Sequence, residues 1–159
     1  FNDADWGTLD YLLVDLPPGT GDIHLSLIQS IPLDGVVIIS TPQEVALADA
    51  RRGVNMFKMD NVKVPIIGLI ENMSWFTPEE MPEKKYYIFG RDGAKNLAEG
   101  LNVTFLGQIP LVQSVRESGD IGKPAVLQKE SISSNVFEKL VDKFVQEIQS
   151  MDRLTSDAK

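Results

Sequence analysis

Four apolar runs rich in β-branched residues recur along the chain, and amphipathic stretches separate them. The runs are Tyr11–Val14, Gly35–Ile39, Pro65–Ile70 and the weaker Val103–Leu106. They are continuously hydrophobic, which is typical of parallel strands buried on both faces. The amphipathic stretches predict helices at Ile23–Ile31, Gln43–Met59, Asp92–Leu101 and Ser134–Met151. Strand–helix alternation at this spacing predicts an α/β fold, with a parallel sheet covered by helices on both faces.

The length of the chain, 159 residues, is that of one domain. We expect residues 1–151 to belong to this domain and the polar residues 152–159 to form a flexible tail. The stretch Met73–Tyr87 has no helical or strand period, and it is the one long irregular insert that the pattern predicts.

Charge and composition exclude several classes of partner. The chain has 15 basic and 23 acidic residues, a formal charge of −8, which argues against unaided binding to nucleic acid. It has no apolar run of about 18 residues, so no membrane span is expected, and no signal-peptide pattern, so a cytoplasmic location is expected. Cysteine is absent, so the chain cannot supply a disulfide, a thiolate nucleophile or a cysteine metal ligand.

Polar or Gly/Pro-rich turns follow all four predicted strands. These turns begin at Asp15, Ser40, Glu71 and Gln108. In an open parallel sheet the ligand crevice lies at the carboxyl ends of the strands. The four turns are therefore expected to converge on one edge of the sheet, and this edge is the candidate binding site.

The first turn, in DYLLVDLPPGTGD, superficially resembles a phosphate-binding P-loop. It is not one, because Asp22 stands where a P-loop has its lysine and would repel phosphate. Asp15 ends an apolar run, and a carboxylate there suits a Walker-B role that holds Mg²⁺ through water. Gly19 and Gly21 would allow the turn to move as a switch. The alternative is that Asp15 only caps the strand end or the next helix.

Two residues in the later turns have the chemistry to contact a purine. The Asn72 side chain can donate to a ring nitrogen of adenine and accept from its amino group, although asparagine is also common in ordinary turns. The ring of Pro110 could lie against the base, or Pro110 could simply end a strand. The single histidine, His24, has no nucleophile pattern near it and is interpreted as solvated or packed on its helix.

The whole set of motifs resembles the Mrp (ApbC-type) family of deviant-Walker P-loop ATPases, which are related to MinD and the nitrogenase iron protein. The resemblance runs from about Asp5 to Val126 and rests on DYLLVDLPPGTGD, STPQEVALADARRGVNMF, GLIENMSWF, IFGRDGAKNLAE and FLGQIPLVQSVRESGDIGKP.

This resemblance implies an iron–sulfur cluster carrier that binds ATP and Mg²⁺, acts as a homodimer and meets apoprotein clients or assembly factors. Asp15 matches the family's Walker-B aspartate, and Pro17, Pro18 and Gly19 match its switch II. Asn72 matches the residue that contacts adenine, and Pro110 matches the proline beside the base.

Two family features are missing. The glycine-rich P-loop and switch I precede the Walker-B strand in the family, so the chain resembles the C-terminal half of such an ATPase. Alone, it is expected to be incomplete at the N-terminus, to expose unpaired strand edges and to be inactive. Cluster-carrying members have C-x-x-C in the insert, whereas here the insert has no cysteine; the acidic residues Glu79, Glu80 and Glu83 are poor substitutes for thiolate.

Two alternative functions follow from the same resemblance. A MinD/ParA-like positioning ATPase would favour a basic amphipathic C-terminal helix, but the helix at Ser134–Met151 is mixed in charge. The other alternative is a non-catalytic adaptor without cluster chemistry, in which the nucleotide only switches partner binding.

Overall fold

Three parallel strands form one sheet in the order β1–β2–β3. The computed structural model describes residues 3–78, 80–81, 83–127 and 131–157. Within these ranges the strands are β1 Val36–Ser40, β2 Ile66–Glu71 and β3 Phe105–Gln108. A helix lies in each connection between consecutive strands, as parallel pairing requires. The predicted parallel α/β architecture is confirmed.

Five α-helices and a short 3₁₀ turn accompany the sheet in the described ranges. They are α1 Asp22–Ser30, α2 Glu44–Lys58, α3 Gly93–Leu101, α4 Gln113–Asp120, the 3₁₀ turn Ala125–Leu127 and α5 Ile132–Asp157. The pattern did not predict α4 or the 3₁₀ turn. Because α5 continues beyond Met151, most of the predicted tail is helical, and its last residues, 158–159, lie outside the described part. None of the described helices is long and apolar enough to cross a membrane.

Helices cover both faces of the sheet. On one face, α2 and α3 pack against Leu69 of β2, which is fully buried, through Val54 and Leu97. On the other face, α5 presents an apolar stripe to Ile67, Ile70 and Leu106. The stripe consists of Leu140, Phe144, Ile148 and Met151. Leu140, Phe144 and Ile148 follow one another at intervals of four residues, the spacing that places them on one side of the helix.

The predicted strand Tyr11–Val14 is wrong for this chain. These residues have no strand conformation, and their side chains are exposed, Leu13 by 78%. The ring of Tyr11 lies near Phe144 of α5 instead, with 6.5 Å between the ring centroids. A strand needs a neighbour to receive its backbone hydrogen bonds. Among the described residues β1 pairs with β2 alone, so no strand forms backbone hydrogen bonds with Tyr11–Val14.

Truncating two leucines to alanine tests this difference between the segment and the core. Leu69→Ala is expected to lower the free energy of unfolding by about 2–5 kcal/mol, because it leaves a cavity in the packed sheet. Leu13→Ala makes the same chemical change at an exposed side chain and is expected to stay within about 0.5 kcal/mol of the parent. Urea denaturation of the two variants measures both values. A large loss from Leu13→Ala would mean that the first segment packs as part of the core.

Candidate functional site

The carboxyl ends of the three strands lie side by side as a row of polar residues. The register pairs Ser40 with Glu71 across β1 and β2, and Glu71 with Gln108 across β2 and β3. Three of the four turns predicted to converge do so at this edge. Ser40 and Glu71 are buried, whereas Gln108 is half-buried.

Backbone hydrogen bonds continue the pairing past the strand ends and bring the two candidate purine-contacting residues together. The N–H of Asn72 donates to the carbonyl of Ser40 at 2.7 Å. The N–H of Ile109, the residue before Pro110, donates to the carbonyl of Glu71, the residue before Asn72, at 2.8 Å. Asn72 and Pro110 therefore extend from adjacent, hydrogen-bonded chain segments.

The side chain of Asn72 keeps a free donor. Its Oδ1 accepts a hydrogen bond from the N–H of Met73 at 2.9 Å, which is a local turn contact. In the described part of the chain no acceptor takes a hydrogen bond from its Nδ2. Asn72 is half-buried and Pro110 is buried. Asn72 thus keeps an amide donor of the kind that can pair with the edge of a purine base.

A network of buried polar groups supports this edge, and the sequence analysis missed it. Glu71 is fully buried, and its Oε2 accepts a hydrogen bond from the N–H of Ala94 in the first turn of α3 at 2.8 Å. Its Oε1 accepts from Nε2 of Gln108 at 2.8 Å. The same Nε2 donates to Oδ1 of Asp92 at 2.9 Å. The sequence contained one signal for this network, because Glu71 is a charged residue directly after the apolar run Pro65–Ile70.

The start of α3 is close enough for this contact because of a glycine. A Cβ on Gly93 would lie 2.5 Å from the carbonyl oxygen of Pro42, in the loop after β1. Only glycine allows the helix to begin so close to that loop. Asp92, just before it, has a left-handed backbone with φ 55°, a conformation that aspartate tolerates better than most residues.

The structure does not pair Asp15 with the strand ends. Asp15, Pro17, Pro18 and Gly19 are exposed and lie outside regular structure, between the unpaired first segment and α1. Gly19 has φ 103°, a conformation that favours glycine. The switch role of this turn stays a prediction. His24 of α1 is buried with only 6% of its surface exposed, which fits the helix-packed interpretation and not the solvated one.

The insert after β2 docks onto the loop after β3. Phe76 forms an antiparallel bridge with Tyr86 and a parallel bridge with Leu111. The ammonium of Lys85 lies 3.8 Å from the ring centroid of Trp75. The acidic residues Glu80 and Glu83 are exposed, and Glu79 lies outside the described residues. Nowhere in the described ranges do three His, Cys, Asp or Glu side chains come together as a metal site would require.

Two surface cavities are lined by residues other than the strand-end residues Ser40, Glu71 and Gln108. One, of about 340 Å³, is at the opposite end of the sheet, lined by Val64, Ile66 and Thr104 among others. The other, of about 320 Å³, lies between α2 and α3 and includes Arg51 and Asn96. Neither of these two cavities is lined by Asp15, Asn72 or Pro110.

Comparison with known proteins identifies the family. A profile of ParA-type proteins, described as the NUBPL iron-transfer P-loop NTPase, matches residues 1–145. The chain belongs to this family. The resemblance found from the motifs, to Mrp-type ATPases, is confirmed.

Curated relatives of this NUBPL-type chain carry names from iron–sulfur biology. The iron–sulfur cluster transfer protein NUBPL of Dictyostelium discoideum is 48% identical over 147 residues, which are 92% of this chain and 45% of that protein. The iron–sulfur cluster carrier protein of Synechocystis is 50% identical over 132 residues, 82% of this chain and 37% of that protein. The chain thus spans about half the length, or less, of these relatives.

Solved structures confirm the fold of this NUBPL-type chain. A nucleotide-binding protein from Archaeoglobus fulgidus in complex with ADP is 34% identical, with a TM-score of 0.67, and the match covers 80% of this chain and 50% of that one. The cell division ATPase MinD of Pyrococcus furiosus is 22% identical, with a TM-score of 0.65, over 86% of this chain and 52% of that one. At 22% identity, the match with MinD shows a similarity of fold and nothing further.

Proposed function

We propose that this chain forms the base-binding side of an ATP-dependent iron–sulfur cluster carrier. The observation that carries the proposal is the pairing of Glu71, just before Asn72, with Gln108 and Ile109, just before Pro110, at the carboxyl edge of a parallel sheet. This is the edge at which open α/β sheets bind their ligands. The family and the ADP complex of the Archaeoglobus relative support a nucleotide as the ligand.

Each residue of the site has a distinct role in this proposal. Asn72 reads the adenine edge through its free amide donor, and Pro110 supplies an apolar surface for the ring. Asp15 would hold Mg²⁺ through water, since one carboxylate together with nucleotide phosphates is a common way to bind this ion. When bound, Mg²⁺ would neutralise charge on the phosphates. The exposed turn at Pro17, Pro18 and Gly19 would respond as switch II.

The phosphate side of the site must come from elsewhere in the protein. The chain contains no G-x-x-x-x-G-K-[ST] motif. ATP hydrolysis is therefore proposed for the full-length protein and not for this chain alone. A homodimer, with apoprotein clients or assembly factors, is the proposed working state, since the relatives are named as carrier and transfer proteins.

Removing the Asn72 amide tests the base-binding role in the full-length protein. Asn72→Ala is expected to weaken ATP binding by about 1–3 kcal/mol, because a paired contact with the base edge is lost. The preference for ATP over GTP should fall with it. Calorimetric titration with the two nucleotides measures both effects.

A matched control for this variant lies on the neighbouring helix. Asn96→Ala makes the same change at an exposed residue that borders the cavity between α2 and α3. It should leave affinity and preference at parental values. If Asn96→Ala changed the ATP-to-GTP ratio and Asn72→Ala did not, the base would belong in that cavity and the proposed site would be wrong.

The iron–sulfur cluster is treated as cargo, and this chain lacks the ligands to hold it. Iron–sulfur clusters are held mainly by cysteine thiolates, and the chain has no cysteine. The absence of thiolates is also the one observation that favours the alternative, an adaptor switched by nucleotide without cluster chemistry.

Anaerobic reconstitution with iron and sulfide separates these two functions. This chain alone should bind no cluster and develop no thiolate-to-iron charge-transfer absorption, because it has no cysteine sulfur. The full-length protein should bind iron and sulfide in stoichiometric amounts if it is a carrier. A stoichiometric cluster on this chain alone would contradict the ligand argument, and none on the full-length protein would favour the adaptor.

A further inference from the structure

The amide of Gln108 lies between two carboxylates, and this fixes its orientation. Its Nε2 is 2.8 Å from Oε1 of Glu71 and 2.9 Å from Oδ1 of Asp92. Carboxylate oxygens only accept hydrogen bonds, so the amide must present its nitrogen. An NH₂ group has two hydrogens, and Gln108 can therefore donate to both acceptors at once.

The three residues join three separate elements. Gln108 ends β3, Glu71 ends β2, and Asp92 stands immediately before α3. The other oxygen of Glu71 is held by the N–H of Ala94 inside α3, where a negative charge at the helix N-terminus is favourable. With Glu71 fully buried, the position of this side chain is determined by its partners.

The link from Gln108 to Glu71 joins the ends of β2 and β3 just before the proposed base contacts in the chain. Glu71 immediately precedes Asn72, and Gln108 stands two residues before Pro110. Backbone hydrogen bonds join the same two segments, from the N–H of Ile109 to the carbonyl of Glu71 and from the N–H of Ser74 to the carbonyl of Ile109. The side-chain link acts together with these bonds to limit how far the Asn72 amide and the Pro110 ring can move apart.

We infer that Gln108 is a positioning residue for adenine recognition. The inference rests on the proposed base-binding role of Asn72. Gln108 does not touch the base; it holds Glu71 and Asp92 so that Asn72 and Pro110 keep their spacing. Without its amide, the two carboxylates would share no donor and would repel each other. Glu71 would keep only one of its two side-chain hydrogen bonds in a buried site, a costly arrangement that movement of the strand ends would relieve.

The test uses full-length protein carrying Gln108→Met, which keeps the length of the side chain and removes the donor. ATP binding should weaken about tenfold, the size expected for loss of a hydrogen bond to a charged group. The ATP-to-GTP ratio should fall, whereas the affinity for inorganic tripolyphosphate should stay within twofold of the parent, because that ligand has no base. A general loss of folding would lower the affinities for ATP, GTP and tripolyphosphate together.

Two further variants complete the experiment. Gln113→Met makes the same change at an exposed glutamine of α4, which donates to Glu117 at 2.8 Å, and it should leave every affinity unchanged. Asp92→Gly removes one of the two carboxylates at a position whose φ of 55° suits glycine. It should lower the ATP-to-GTP ratio in the same direction, and it replaces Gln108→Met if that variant does not fold.

The outcomes separate this inference from the proposed function. If Asn72→Ala lowers the ATP-to-GTP ratio but Gln108→Met and Asp92→Gly do not, the positioning role is overturned and the base site stands. If Asn72→Ala leaves the ratio unchanged, the base site itself is wrong. An equal loss of ATP and tripolyphosphate affinity in both network variants would make their role structural, and it would also overturn the inference.

Discussion

The carboxylate of Glu71 is fully buried, and each of its oxygens receives a hydrogen bond from a different element. A buried charge is costly unless it is fully hydrogen-bonded, so the elements around Glu71 must keep their relative positions. Those elements are the end of β3 and the start of α3. The row of strand ends, the turn that carries Asn72 and the approach of α3 to the loop after β1 all depend on this one group. The site is thus built on a polar constraint inside an otherwise apolar sheet.

The hydrophobic pattern of the sequence was sufficient to predict most of the fold. The run at Pro65–Ile70 became a strand with helices packed on both of its faces. The run at Gly35–Ile39 also became a strand, although Ile39 is 62% exposed. Tyr11–Val14 has the same apolar pattern but is not a strand in the structure. The pattern shows which residues tend to be buried; it does not show whether a partner strand is present. The apolar pattern did not predict helix α4, for a different reason. It has few apolar residues, and it is supported by side-chain pairs one turn apart, such as Arg116 with Asp120 at 2.8 Å.

The candidate site was predictable in part. That polar turns converge at the carboxyl ends of parallel strands follows from topology, and this predicts that Asn72 and Pro110 lie near each other. The network of Glu71, Gln108 and Asp92 was not predictable, because Glu71 and Gln108 are 37 residues apart and meet only through strand register. The placement of Asp15 was also not predictable from the sequence. Its role was inferred from a motif, and its placement depends on a segment that no described strand pairs.

The central claim is that the edge formed by Asn72 and Pro110 binds the adenine base. A crystal structure of the full-length protein with ADP tests it most directly. We expect adenine within hydrogen-bonding distance of the Asn72 amide and against the Pro110 ring, with the Gln108 amide still between Glu71 and Asp92. Adenine bound between α2 and α3, or anywhere out of contact with Asn72, would contradict it.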